Sequence, residues 1–392
     1  MTESILQNAI QEISQILGNS VKQHNLLGGD LGKILFSSYY YLKNKNEDTN
    51  VFQLIENAFE SDEIQFIDEL GSIWLVQHLI NIGILDKDSS EMVEDLINSV
   101  PALIEEDRIK KNHELLYGVM GKALLYLEAY PQFEAKKHLS KIATDIKETA
   151  YQTPNGLTWV DIKKEEETSF NLGLSHGMPA VIVGLSKIYT AIGEGKETLE
   201  KAVEWLQAQK VEDGLLNDYP SVTAESFTEQ EKRNLTRLAW CYGDLGVALA
   251  LFHASNALNR EDWKQEAINT ALKATKRTPE NATIFYGKEL GIFDAGICHG
   301  TAGVAHMFNR FYKATKIQDF KDAANFWLQK TLDARLSNGT WLFPRHNQGT
   351  NEKDWVENNS FLEGLIGVGL VLLAFQDENT DPAWDKYFMM DI

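Results

Sequence analysis

One short unit recurs along this chain and limits what it can fold into: glycine, two residues, glycine or alanine, then an apolar run. Seven copies are legible: "GDLGKILFSSYY" from Gly29, "DELGSIWLVQHL" from Asp68, "GVMGKALLYLEAY" from Gly118, "GMPAVIVGLSKIY" from Gly177, "GDLGVALALFHA" from Gly243, "GTAGVAHMFNRFY" from Gly300 and "GLIGVGLVLLAF" from Gly364. The closing small residues, Gly32, Gly71, Gly121, Ala180, Gly246, Gly303 and Gly367, are spaced 39 to 66 residues apart. Such an interval holds two helices and their connections. The runs after the small residues are apolar on every side, which predicts buried helices. Intervening stretches such as "KETLEKAVEWLQAQK" are amphipathic and charged, which predicts an outer layer. Small residues at the helix openings predict a close approach of the helix starts.

Prolines are sparse, at 8, and strict apolar alternation is rare, so the chain reads as all-α. Seven inner and seven outer helices predict an α/α toroid in a single domain spanning residues 1–392. A linear α-solenoid is the competing arrangement, and irregular spacing favours closure. The best candidate for an insert is the short stretch from Lys210 to Lys232.

The formal charge of −20 disfavours a nucleic-acid backbone and an anionic membrane surface as partners. No stretch has the roughly 18 uninterrupted apolar residues of a membrane span. The N-terminus reads as an amphipathic acidic helix rather than a signal peptide. Two cysteines make no disulfide framework, and the simplest placement is cytoplasmic.

Both cysteines fall at repeat starts. Cys241 in "WCYGDLG" stands two residues before Gly243, and Cys298 in "GICHGTAG" two before Gly300, with His299 following. Two buried thiols and a core histidine are one reading. The shared register supports another, in which Cys241, Cys298 and His299 give Zn²⁺ three ligands and leave the fourth position open, as in catalytic zinc sites. His176 in "GLSHGMPA" holds the position before Gly177 that His299 holds before Gly300, and is a candidate proton donor or acceptor. Glu114 lies four residues before Gly118, and Arg237 four before Cys241 as a candidate cation near the site.

The segments "GLSHGMPAVIVGL", "RLAWCYGDLGVALAL", "GICHGTAGVAHMF" and "SFLEGLIGVGLVLLAF" resemble the lanthionine synthetase C-like family, the cyclases of lanthipeptide biosynthesis. The resemblance extends over nearly the whole chain. It implies a double ring of helices and one zinc ion held by Cys241, Cys298 and His299. It also implies His176 as acid/base, with Arg237 and Tyr242 at active-site positions. Bacterial members often carry Asp where this chain has Glu114. The implied substrate is a dehydrated precursor peptide, made by a dehydratase that is a candidate partner. The implied reaction adds a peptide cysteine thiolate to dehydroalanine or dehydrobutyrine. Addition of glutathione to dehydrated residues, and a zinc-bearing peptide-binding scaffold without turnover, are alternatives. A carbohydrate enzyme on the same fold needs paired carboxylates, for which only Glu114 and Glu363 stand at repeat starts.

Overall fold

The computed structural model describes residues 3–18, 25–44, 51–59, 69–161, 168–211, 216–224, 226–346, 353–376 and 381–392. Its helices are α1 (Glu3–Leu17), α2 (Leu31–Lys43), α3 (Val51–Phe59), α4 (Glu69–Asn81), α5 (Glu94–Lys110), α6 (Val119–Ala129), α7 (Ala135–Thr149) and α8 (Met178–Ile192). They continue with α9 (Lys196–Gln207), α10 (Glu229–Lys232), α11 (Asp244–Leu258), α12 (Glu261–Ala274), α13 (Thr301–Thr315), α14 (Gln318–Asp333) and α15 (Leu365–Gln376). Apart from the one-turn α10, helices opened by the glycine unit (α2, α4, α6, α8, α11, α13, α15) alternate with amphipathic ones. Asp68, the expected opening of the second copy, lies outside the described residues, and Gly71 sits in the first turn of α4.

Burial follows the predicted pattern. Every residue of α15 from Leu365 to Ala374 is buried. In α1 only Leu6, Ala9, Ile10, Ile13 and Leu17 are, which is one helical stripe. Backbone contacts divide the chain into two units, and each draws on two separate stretches of sequence. Residues 1–96 with 284–384 form the first, and residues 97–283 with 385–392 the second. In the first unit α13 packs on α15, α15 on α1 and α2, and α2 on α4. The last glycine-opened helix therefore lies beside the first, a contact that a linear stack of repeats lacks. In the second unit α6 packs on α8 and α8 on α11, while α7, α9 and α12 flank them. The C-terminal stretch is tied in by the Trp240 Nε1–H, which donates to the Phe388 carbonyl at 2.9 Å.

The glycines do more than admit neighbouring helices. A Cβ on Gly118, Gly177, Gly243, Gly300 or Gly364 would lie 1.9 to 2.8 Å from the carbonyl oxygen six residues upstream, that of Asn112, Asn171, Arg237, Asp294 or Asn358. The closing glycines repeat the relation: Gly121, Gly303 and Gly367 would meet the oxygens of Leu115, Ile297 and Phe361 at 2.0 to 2.4 Å. The loop before each helix thus folds back onto the helix opening. In three loops the upstream carbonyl also accepts the N–H of the first helical residue: Val119 at 3.0 Å, Thr301 at 2.9 Å and Leu365 at 2.8 Å. Contact with another repeat occurs at Gly32, against Phe361 and Ile366, at Gly246, against Leu174, and at Gly367, against Ile297.

Among the described residues, four two-stranded antiparallel pairs join the helices, with strands of two to four residues. Such strands are too short to show alternation, which is why the sequence pattern passes over them. One of them, Val222–Ala224, pairs with Ser169–Asn171, so this part of the Lys210–Lys232 stretch is knitted into the second unit. Residues 212–215 and 225 of that stretch lie outside the described residues.

Gly243 is the most constrained of the helix-opening glycines, with φ +107° and ψ 179°, a region that side-chain-bearing residues rarely enter. Gly243→Ala is expected to lower unfolding free energy by roughly 3 kcal/mol, combining backbone strain and the clash with the Arg237 carbonyl. Gly193→Ala, at φ +78° with nothing within 4 Å, should cost only about 1 kcal/mol. Urea unfolding of both variants checks this, and equal losses would contradict the account of Gly243.

Candidate active site

The loops that open the helices share a register. In three of them an Asn or Asp six residues before the glycine forms a turn through its own side chain. Asn171 Oδ1 accepts from Gly173 N at 2.8 Å, Asp294 Oδ1 from Gly296 N at 2.8 Å, and Asn358 Oδ1 from Ser360 N at 2.9 Å. Successive loops bond laterally through their backbones. In the second unit Ser175 N donates to the Cys241 carbonyl at 3.4 Å. In the first, Cys298 N donates to Leu362 O at 3.0 Å, and Leu362 N to Leu27 O at 3.1 Å. The residue just before each glycine is left more open than its surroundings. These residues are Tyr117, His176, Tyr242, His299 and Glu363, with Tyr117 at 69% exposure and Glu363 at 48%.

In the first unit this register brings Cys298, His299 and Glu363 together, with one donor atom from each lying within 4.8 Å of the others. His299 Nδ1–H donates to the Asp294 carboxylate at 2.5 Å, which fixes the tautomer because an ionised carboxylate only accepts. His299 Nε2 then faces Glu363 Oε1 at 3.4 Å. Asp294 itself is 1% exposed. With both ring nitrogens protonated, His299 also bonds Glu363 through Nε2–H, and with Lys353 and His346 nearby this holds the Glu363 carboxyl below its ordinary pKa against the opposing effect of burial. The edge of Phe285 meets the His299 ring at 5.2 Å.

These residues fit a divalent metal. A thiol, an imidazole nitrogen and a carboxylate within one ion's reach suit zinc. A carboxylate behind the far nitrogen of a ligating histidine is the usual orienting device. Neither Asp294, which orients His299, nor Glu363, which faces the same space, is among the ligands read from the sequence. The signal for Asp294 was its offset of six residues from Gly300, matching Asn171 before Gly177. Glu363 reads from sequence only as a carbohydrate-type carboxylate, although it holds the His299 position of its own repeat.

In the second unit His176 Nδ1–H donates to Glu114 Oε2 at 2.5 Å. Glu114 is buried and also accepts from Leu116 N at 3.2 Å and Tyr117 N at 2.5 Å. It therefore both shapes its loop and locks the His176 ring, leaving Nε2 as the other proton-exchanging atom. Tyr117 stacks on that ring at 6.4 Å. A cavity of about 120 Å³ opens here, lined among others by Lys111, Asp161 and His176. Tyr242 packs against Gly173, where a Cβ would lie 2.6 Å from its ring, and its hydroxyl accepts from Asn171 Nδ2 at 3.0 Å. Cys241 is buried in this unit, and its carbonyl also accepts from the Ser175 hydroxyl at 3.3 Å. Arg237 is half-buried, and its carbonyl is the one seated over Gly243.

A helical fold of paired layers, with Cys, His and carboxylate side chains at the openings of its buried helices, defines the class as α/α-toroid proteins with a metal-competent site. The lanthionine synthetase C-like family model matches residues 20–389, and the chain belongs to that family. It is 24% identical over 259 residues to the nisin biosynthesis protein NisC of Lactococcus lactis subsp. lactis, a match covering 60% of this chain and 54% of that protein. The chain thus spans about half the length of this relative. The solved structure of nisin cyclase has a TM-score of 0.70 at 17% identity, covering 99% of this chain and 98% of that one, and shows the shared α/α-toroid fold. An unsaturated glucuronyl hydrolase from a streptococcus, S. agalactiae, has a TM-score of 0.51 at 10% identity over 97% of this chain and 94% of its own, a likeness of fold alone. Among the described residues no helix is long and apolar enough to cross a membrane.

Beside Glu114, His113 is buried, and burial pushes its pKa down to about 4. Its folded value lies below the unfolded value near 6.5, so the unfolded chain binds the proton first on acidification. Its contribution is complete above about pH 6.5 and is lost as pH falls toward 4, with a slope of up to about 1.4 kcal/mol per pH unit. His113→Asn should flatten that part of the stability profile in urea titrations from pH 7 to 4.5, and an unchanged slope would remove His113 as its source.

Proposed function

We propose that the protein is a zinc-dependent lanthipeptide cyclase acting on a dehydrated precursor peptide. Family membership supports this reading. The observation that carries it is the Cys298, His299 and Glu363 group with Asp294 behind His299. Cys241, Cys298 and His299 are the proposed zinc ligands, with Glu363 beside Cys298 and His299 as a further carboxylate. Bound there, the ion would supply Lewis acidity that turns a substrate thiol into a thiolate near neutral pH.

The remaining steps fall to the protein's own side chains. The cysteine sulfur of the peptide forms a bond to the β-carbon of dehydroalanine or dehydrobutyrine. The alkene electron pair moves to an enolate, and a proton returned to Cα completes the thioether with no net change in mass. His176 is the proposed donor of that proton. The Glu114 carboxylate on Nδ1 fixes the ring and leaves Nε2 as the atom that can face the substrate. Arg237 is proposed to offset the enolate charge or to position the peptide, and Tyr242, held by Asn171, to orient groups around it. Glu114 supplies the carboxylate that bacterial members often take from Asp, and its hydrogen bond to His176 supports a positioning role. A dehydratase would supply the substrate, and a cytoplasmic location suits the free thiols.

A synthetic peptide carrying one dehydroalanine and one cysteine tests the proposal, with ring closure read as loss of alkylatable thiol at constant mass. Cys298→Ala is expected to lose both stoichiometric zinc and ring closure, and full retention of metal would sink the ligand assignment. His176→Phe should keep zinc but lose turnover by about a hundredfold or more. Asp294→Asn should weaken zinc binding roughly 10- to 100-fold with the fold intact.

A further inference from the structure

Lysine follows the closing glycine in two copies of the repeated unit, at Lys33 and Lys122. In the other copies that position holds Ser72, Val181, Val247, Val304 and Val368, each at most 1% exposed. It is a core position, and a charge placed there needs partners close by. Lys33 finds its partner within its own helix opening, Asp30 at 2.6 Å. Lys122 is held differently.

Lys122 of α6 pairs with Asp107 of α5 at 2.6 Å, and the two side chains are only 7% and 11% exposed. The Lys122 Nζ also donates to the Tyr117 carbonyl at 2.7 Å. Asn112 makes the same connection from the start of the loop. Its Nδ2 donates to Asp107 Oδ1 and to the Tyr117 carbonyl, both at 3.3 Å, and its N–H donates to the Asp107 carbonyl at 2.8 Å. The loop between α5 and α6 is thereby tied to the helices on both sides. On its other face the Tyr117 N–H donates to Glu114 Oε1, while Glu114 Oε2 accepts the Nδ1–H of His176. Tyr117 thus links the buried ion pair to the candidate proton donor through its backbone alone.

Packing does not call for this pair, since valine fills the equivalent position in four repeats. Nor does a buried ion pair add much stability on balance, because removing two charges from water offsets most of their attraction. What it adds over valine is direction. A glutamate side chain has three torsions, and the Glu114 carboxylate keeps one orientation only while the loop N–H groups that it accepts stay in place.

We propose that Asp107 and Lys122 are positioning residues for proton transfer: by fixing Tyr117 they hold Glu114, and through Glu114 they keep the His176 ring in one orientation with Nδ1 protonated. Their bearing on catalysis rests on the cyclase reading, in which His176 gives the proton, whereas the tautomer they impose does not. The paired substitution Asp107→Asn with Lys122→Met nearly preserves both volumes and leaves no buried charge alone. In protein labelled with ¹⁵N-histidine and held near pH 9, the wild type should show His176 with Nδ1 protonated and Nε2 bare, the signals being assigned by their loss in His176→Phe. The double variant should show the two tautomers mixed, with melting within a few degrees of wild type and full zinc content. On the synthetic ring-closure peptide its kcat should fall by about tenfold or more while KM changes by less than about threefold. Lys122→Arg, which keeps a cationic donor, should restore the wild-type tautomer.

A wild-type tautomer in the double variant overturns the proposal. So does failure of the double variant to fold, which would make the pair a requirement of the fold itself. Ring closure by the wild type, with the tautomer unchanged in the double variant, rejects the positioning role alone. A mixed tautomer in the double variant, with no ring closure by the wild type, rejects the cyclase reading alone.

Discussion

In five loops of this protein a backbone carbonyl rests over a glycine six residues downstream, closer than any side-chain carbon would allow. The rest of the site depends on that contact. It turns the chain back just before a buried helix, and where the same oxygen also accepts the first helical N–H it satisfies one of that helix's orphan donors. An Asn or Asp turn nucleates three of the loops. Bonds between successive loops then fix one against the next, as at Ser175 to Cys241 and Cys298 to Leu362. Side chains on such a frame have little freedom left to lose when a ligand arrives.

The two histidines show how the frame sets chemistry. His176 and His299 occupy the same position of their loops, and each gives its Nδ1–H to a carboxylate at 2.5 Å. The carboxylates arrive by different routes. Asp294 is part of the His299 loop, whereas Glu114 reaches His176 from the preceding repeat. Both arrangements fix the tautomer and point Nε2 outward. What differs is the company kept by that nitrogen: a thiol and a carboxylate in one unit, a stacked tyrosine and a small cavity in the other.

Much of this was legible in the sequence. The glycine unit recurs with apolar helices after it, and burial of α15 and the stripe on α1 follow directly from those patterns. The equivalence of Cys241 with Cys298 and of His176 with His299 was visible as an offset from glycine. Asp294 was not found, because a lone aspartate six residues upstream carries no periodic signal until the loop closes. Glu363 stood in the right register but was a carboxylate among imidazoles and thiols, so matching by residue type passed over it. The short strands escaped because two to four residues show no alternation. The reason for the glycines was also only half seen: most of them make room for their own loop rather than for a neighbouring helix.

That division between glycine and preceding residue has a consequence for how such proteins diversify. The glycine bears the steric demand of the loop, and the adjacent side chain is left more open than its surroundings. Tyrosine, histidine, tyrosine, histidine and glutamate all occupy that place in this one chain. Replacing one of them rewrites reactivity while the scaffold stays as it was. Enzymes of unrelated chemistry can therefore share this architecture at negligible sequence identity, because inheritance of shape and inheritance of reactivity are stored at neighbouring but separate positions.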